Sequence, residues 1–287
     1  MKAISWSSGK RILKLGYYRY VSEVAKFNKH AKEWWSPTGP VAPLLRFNPA
    51  RIAVIRAAIE TYISSSKELQ QLPLQGISIL DVGCGGGILC EPLGRLGASV
   101  LGIDEAQDAI ETARKHVSLD PFLGTSVKYR LCSLSDLVSE QLQFDCVTCL
   151  EVIEHVENPQ LFLDTLKQTV RPQGLLIIST INRTFFSWLS AIFMAENILG
   201  WIPKGTHQWQ KLVRPEEITW CLSNDMKLLS SVGFAFHPFD NTIRLTRNLG
   251  VNYLMVWKKC SGNQSIGEPV KSYAVHEDNK ECPKREH

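Results

Sequence analysis

Apolar residues in this chain follow two alternating rhythms. Short runs such as Ile77 to Gly83, Ser99 to Asp104 and Phe144 to Leu150 have the length and β-branched content of strands. Between them lie longer stretches with helical spacing. The pattern predicts strands near 77–83, 99–104, 127–133, 144–150 and 174–181, with two more near 227–237 and 251–258. It predicts helices near 87–96, 105–117 and 158–170, and from Pro215 to about Ser223. Arg171-Pro172-Gln173-Gly174 reads as a stop between the third helix and the strand after it. Strand–helix alternation implies a mostly parallel sheet, here of seven strands, with helices on both faces.

The rhythm fails in five places. Residues 1–22 are basic and acid-free, and read as a mitochondrial presequence or a flexible arm. Residues 23–62 are helical and aromatic, broken at Ser36-Pro37-Thr38-Gly39-Pro40, and a polar linker runs from Ser64 to Gln75. An aromatic, apolar insertion occupies 183–212, and 261–287 is polar without periodicity, as in a disordered tail. The expected organisation is one domain, 23–260, between two terminal extensions.

Ile79-Leu80-Asp81-Val82-Gly83-Cys84-Gly85-Gly86-Gly87 closes the first strand. Glycines there let the backbone turn sharply and approach a ligand without a Cβ in the way. The second strand ends in Asp104, a carboxylate placed to accept ribose hydroxyls. A dinucleotide fingerprint starting at Gly83 needs a third glycine where Ile88 stands. Asp81, Gly83, Gly85 and Gly87 instead follow the Asp-x-Gly-x-Gly-x-Gly spacing of motif I in class I S-adenosylmethionine (SAM) methyltransferases, which they resemble.

Composition narrows the partners. In 287 residues the net charge is +4, and Lys2, Lys10, Arg11, Lys14 and Arg19 all precede the first acid, Glu23. The rest is near neutral, which argues against a nucleic-acid surface. Eight cysteines are scattered. Cys146-x-x-Cys149 has zinc or redox spacing, but its members point to opposite faces of a strand, so buried free thiols and a reducing compartment are expected.

Four further features carry candidate chemistry. Glu151, Glu154 and His155 follow the fourth strand, where an open α/β sheet binds its ligands. If Glu151 begins a helical turn, the three share a face and suit a divalent cation, Mg²⁺ first; equally, they form an acid–base set or orient the cofactor. Arg51 is either a fork for the cofactor carboxylate or an exposed helix-start residue. The run Phe185 to Ala195 is a lid over a greasy substrate, an interfacial helix or a core helix. His207, in the loop Pro203 to Trp209, is structural or a general base.

Together the motifs resemble one family. They are Lys32-x-Trp34-Trp35, Pro43-Leu44, Asn48-Pro49-x-Arg51, Leu80 to Gly87, Glu91 to Ala98, Glu151-x-x-Glu154-His155-Val156 and Ile202-Pro203-Lys204-Gly205-Thr206-His207. The chain is similar, from about Glu23 to Lys259, to the ubiquinone biosynthesis O-methyltransferases, and most of all to their mitochondrial form. The resemblance implies a Rossmann-like α/β class I methyltransferase fold. It implies O-methylation of catechol-type hydroxyls on a polyprenyl-dihydroxybenzoate and on a demethylubiquinol in coenzyme Q synthesis. It places SAM contacts on Arg51, Gly83, Asp104 and Leu150, and Mg²⁺ ligands on Glu151, Glu154 and His155. It further implies peripheral attachment to the lipid surface on the matrix side of the mitochondrial inner membrane, within a multi-subunit coenzyme Q biosynthesis complex. The stretch Asp240 to Gly250 departs from the family pattern.

Two other classes compete. A nicotinamide oxidoreductase is disfavoured by Ile88 and by the lack of a separate substrate domain. A non-catalytic scaffold sharing the fold is disfavoured by the intact glycine motif, Asp104 and the acidic cluster.

Overall fold

The computed structural model describes residues 33–39, 41–63, 71–184, 212–237 and 242–261. The expected presequence, most of the apolar insertion including His207, and residues 262–287 lie outside the described residues.

Helix α1 (Ala42–Tyr62) leads into β1 (Ser78–Val82), α2 (Cys90–Arg95), β2 (Ser99–Asp104), α3 (Gln107–Val117) and β3 (Val127–Leu131). Then come α4 (Leu134–Ser139), β4 (Phe144–Leu150), α5 (Pro159–Leu166) and β5 (Val170–Ile181). Helix α6 (Pro215–Leu222) and strands β6 (Met226–His237), β7 (Thr242–Thr246) and β8 (Asn252–Lys259) complete the described chain. The eight-stranded sheet has the order β3-β2-β1-β4-β5-β8-β6-β7. The β3, β2, β1, β4 and β5 strands pair in parallel, and β8 runs antiparallel between β5 and β6.

The strand order reverses direction between β1 and β4, so the loops leaving their carboxyl ends flank the crevice where open α/β sheets bind ligands. Period-2 alternation builds a core on each face of the sheet. Cys146, Leu175, Ile177 and Val256 pack on one face with Ile55 and Ile59 of α1. Val147, Cys149, Leu176, Ile178 and Trp257 pack on the other. Cys146 and Cys149 therefore sit on opposite faces, as the spacing requires.

Three local differences from the sequence pattern have physical causes. The strand expected from Gly174 begins at Val170, because Arg171 to Gly174 form a bulge. Phe144 pairs with Val170 and Cys146 already with Leu175, and Gln173 takes a positive φ of 65°. Helix α4 is an extra element: Ser133 and Asp136 close a capping box, each side chain bonding the other's backbone N–H. Strand β7 is the eighth strand. It forms an antiparallel edge on β6 with mostly exposed residues, so it carries little apolar signal.

Candidate cofactor and active site

The β1 loop is shaped for close approach. Gly83 has φ 72° and Gly85 φ 52°, in the left-handed region. A Cβ on Gly83 would strike Val152 of the β4 loop, and one on Gly85 would strike the Trp34 ring. The loop is held from several sides. Asn48 Nδ2 of α1 donates to the Ile88 carbonyl at 2.7 Å. Trp35 Nε1 donates to the Gly86 carbonyl at 3.0 Å. The Trp35 ring stacks on His116 with centroids 3.6 Å apart, and His116 Nδ1 lies 2.7 Å from Oε1 of the fully buried Glu91.

Asp81, beneath the loop, is 3% exposed. It accepts from Thr148 Oγ1 of β4 at 2.7 Å and from Cys90 Sγ at 3.2 Å. Burial pushes its carboxyl up to about 6 against these bonds. Cys84 and Cys90 are also buried, which pushes Cys84 up to about 11 and Cys90 well above its ordinary range, so both stay thiols.

Asp104 ends β2, facing the loop. Its Oδ2 accepts from the Gly85 N–H at 2.9 Å and its Oδ1 from the Ala106 N–H at 2.8 Å. Each carboxylate oxygen has a second lone pair for a ribose hydroxyl. Burial raises its pKa, and the backbone donors oppose that shift.

Across the crevice, Leu150 ends β4 and Glu151 follows with φ 58°. Glu151 does not start a helical turn, as the spacing alone suggested; a single 3-10 turn begins at Ile153 and carries Glu154 and His155. The left-handed kink turns Glu151 toward α1. Its Oε1 accepts from Arg51 Nη2 at 2.6 Å and from Ser179 Oγ at 2.8 Å. Arg51 is 7% exposed, a buried residue of α1 and not a solvated helix start. Its Nε is buried without a hydrogen-bond partner.

Glu154 is 2% exposed; its Oε2 accepts from Thr180 Oγ1 at 2.8 Å and its Oε1 has no hydrogen-bond partner. Burial and the neighbouring Glu151 charge raise its pKa, while His155 opposes them. Ser179 and Thr180 were not singled out in the sequence. The signal was present: they stand at the carboxyl end of β5, beside β4, where the same topological rule places ligand-facing groups.

Whether a divalent ion fits is decided by these donors. Two carboxylates, one oxygen of them buried and unpartnered, are oxygen donors of the kind Mg²⁺ takes, while the imidazole on the same loop favours Mn²⁺, Co²⁺ or Zn²⁺. Among the described residues no three such side chains are gathered on one point. In this conformation Glu151 is engaged by Arg51 and Ser179.

A glycine loop, a strand-end carboxylate and a buried arginine around the β1/β4 switch point are the layout of a class I SAM-dependent methyltransferase. A methyltransferase-domain family matches residues 55–225. Two solved structures share the fold. The plantazolicin methyltransferase BpumL in complex with SAH has a TM-score of 0.52 at 16% identity, over 84% of this chain and 99% of that one. A protein from a study of disulfide-to-thioacetal conversion in echinomycin biosynthesis has 0.52 at 18%, over 75% and 82%. Among curated proteins, the ubiquinone biosynthesis O-methyltransferase of Sinorhizobium medicae is 43% identical over 83% of this chain and 95% of its own length. That of Rhizobium etli is 44% identical over 83% and 94%. The chain belongs to the ubiquinone biosynthesis O-methyltransferase family.

Proposed function

We propose that this enzyme methylates the catechol-type hydroxyls of polyprenyl-dihydroxybenzoate and demethylubiquinol intermediates of coenzyme Q synthesis, using SAM. The observation that carries this reading is the facing pair of loops. The glycine loop and Asp104 hold the nucleoside end of the cofactor, and Arg51 its carboxylate. Glu151, Glu154 and His155 line the other wall, where the methyl acceptor enters.

The reaction is an in-line displacement. A ring oxygen attacks the sulfonium methyl carbon, the carbon–sulfur bond breaks with its electron pair going to sulfur, and the products are a methyl ether and SAH. Holding the oxygen and methyl in line is worth ~7–11 kcal/mol. Asp104 and Arg51 fix the cofactor at its two ends, and the walls of the crevice exclude water from the reacting oxygen. Mg²⁺ is the proposed ion on Glu151, Glu154 and His155; when bound it supplies Lewis acidity that favours the ionised ring hydroxyl at neutral pH. His207 is the proposed proton acceptor, and the apolar insertion the contact for the polyprenyl tail.

We place the enzyme peripherally on the matrix face of the mitochondrial inner membrane, in a multi-subunit coenzyme Q biosynthesis complex. The basic, acid-free leader and the apolar insertion support this placement. Among the described residues no helix is long and apolar enough to cross a membrane. The test is turnover of a prenylated dihydroxybenzoate with SAM, before and after exhaustive chelation. Loss on chelation and recovery with Mg²⁺ supports the reading; undiminished turnover after chelation refutes the metal role.

A further inference from the structure

We infer that Glu91 and His116 are positioning residues for the cofactor, acting on the glycine loop through the Trp35 ring. The inference rests on the proposed role of that loop in holding SAM. It adds a line of three side chains that ends on a loop carbonyl.

The line starts in α2. Glu91 Oε1 lies 2.7 Å from His116 Nδ1 of α3, and the hydrogen bond between them fixes the direction of the imidazole. The His116 ring lies on the Trp35 ring with centroids 3.6 Å apart and planes 4° from parallel. Trp35 Nε1 then donates to the Gly86 carbonyl at 3.0 Å, across 51 positions of sequence. Rings packed this close and this flat cannot tilt independently. The orientation set at Glu91 therefore reaches the Gly86 peptide.

Stability alone does not account for this line. Glu91 is fully buried, its Oε2 has no hydrogen-bond partner, and Arg95 Nη2 stands 3.6 Å from it. A buried charged group is costly to desolvate, and an apolar side chain often serves the fold as well. What the carboxylate adds is a fixed direction for the imidazole. The loop needs such support from outside. Gly85, Gly86 and Gly87 have no side chains to hold them, and glycine loses more freedom on ordering than any other residue. The peptide between Gly86 and Gly87 is gripped at both ends, its carbonyl by Trp35 and its N–H by the Cys84 carbonyl at 3.0 Å. The neighbouring Gly85 N–H is on Asp104. A loop ordered before its ligand arrives has less entropy to lose on binding, and so binds more tightly.

Calorimetric titration of SAH into the full-length protein reads this without turnover. Trp35→Phe keeps a ring on His116 and removes only the donor to Gly86. His116→Gln keeps a polar group for Glu91 and removes the stack. Glu91→Met keeps the buried volume and releases the imidazole. Each single variant weakens SAH binding by about three- to tenfold, within the range of one net hydrogen bond. The double variant Trp35→Phe with His116→Gln binds no more weakly than the more impaired single, because either change already cuts the line. Parent-like SAH affinity in any of the three singles overturns the inference, and leaves that contact to the fold alone whatever its melting temperature. Losses that multiply in the double variant also overturn it, since His116 then acts independently of Trp35. A parent that binds no SAH overturns the inference together with the proposed role of the glycine loop.

Discussion

Arg51 Nη2 and Glu151 Oε1 lie 2.6 Å apart, joining a helix that precedes the sheet to the loop that follows its fourth strand. A hundred residues separate them in the chain. The pair ties α1 to the β4 loop, and Asn48 Nδ2, donating to the Ile88 carbonyl, ties the same helix to the β1 loop.

Replacing Arg51 tests its proposed role at the cofactor carboxylate. Arg51→Met keeps much of the apolar stem but removes the fork, leaving the cofactor carboxylate unpaired. Loss of charged hydrogen bonds costs ~1.5–3 kcal/mol, or about 10- to 150-fold in affinity. Arg51→Lys restores the charge but not the bidentate geometry, and recovers only part of the loss. Calorimetric titration with SAH distinguishes these outcomes from no effect, which would remove Arg51 from the cofactor site.

Asp104 carries two duties. Its oxygens hold the Gly85 and Ala106 N–H groups, and in the proposed function they also accept from the ribose. Asp104→Ala therefore weakens SAH binding by ~1.5–3 kcal/mol and also lowers the melting temperature. Asp104→Asn keeps one acceptor oxygen and should lose less stability than affinity. Parent-like affinity in a folded Asp104→Ala protein would refute the ribose assignment.

Gly85→Ala introduces a side chain at φ 52° against the Trp34 ring. The strain and the displaced indole should reduce thermal stability and SAH affinity together. In a double variant with Trp34→Ala, which removes the obstructing ring, SAH affinity should recover in part. Additive losses in the double variant would show that the clash is not the cause.

Much of this was legible in the sequence. Strands β2 and β4 match the pattern to the residue, because each is an apolar run that stops at a carboxylate, Asp104 in one and Glu151 after the other. Arg51 was ambiguous, since nothing local distinguishes a buried arginine from an exposed one; only the fold brings Glu151 to it. The kink at Glu151 was also hidden, because a non-glycine residue at positive φ leaves no mark in composition. Strand β7 escaped because an exposed edge needs no apolar alternation, and α4 because its capping box uses Asp136 in place of the usual glutamate.

Asp81 makes stability depend on pH. Burial raises its pKa from 3.8 to about 6, so the folded protein holds this proton more tightly than the unfolded chain. Stability therefore falls as pH climbs from about 4 to about 6, by up to ~3 kcal/mol from this group. Asp81→Asn removes the contribution. The difference in urea stability between parent and variant should shift in the variant's favour across that window and be flat above it. A constant difference from pH 4 to 7 would show that Asp81 is not the titrating group.

The central claim is that the β4 loop activates a catechol oxygen while the β1 loop holds the cofactor. Transfer of a labelled methyl group from SAM to a prenylated dihydroxybenzoate tests it most directly, with SAH binding measured on the same preparations. The parent should place the label on a ring oxygen. Glu151→Gln with Glu154→Gln should bind SAH at close to parent affinity yet lose methyl transfer by at least two orders of magnitude, on the order of 2.7 kcal/mol or more in the barrier. A double variant that still transfers the methyl group at the parent rate would contradict the account.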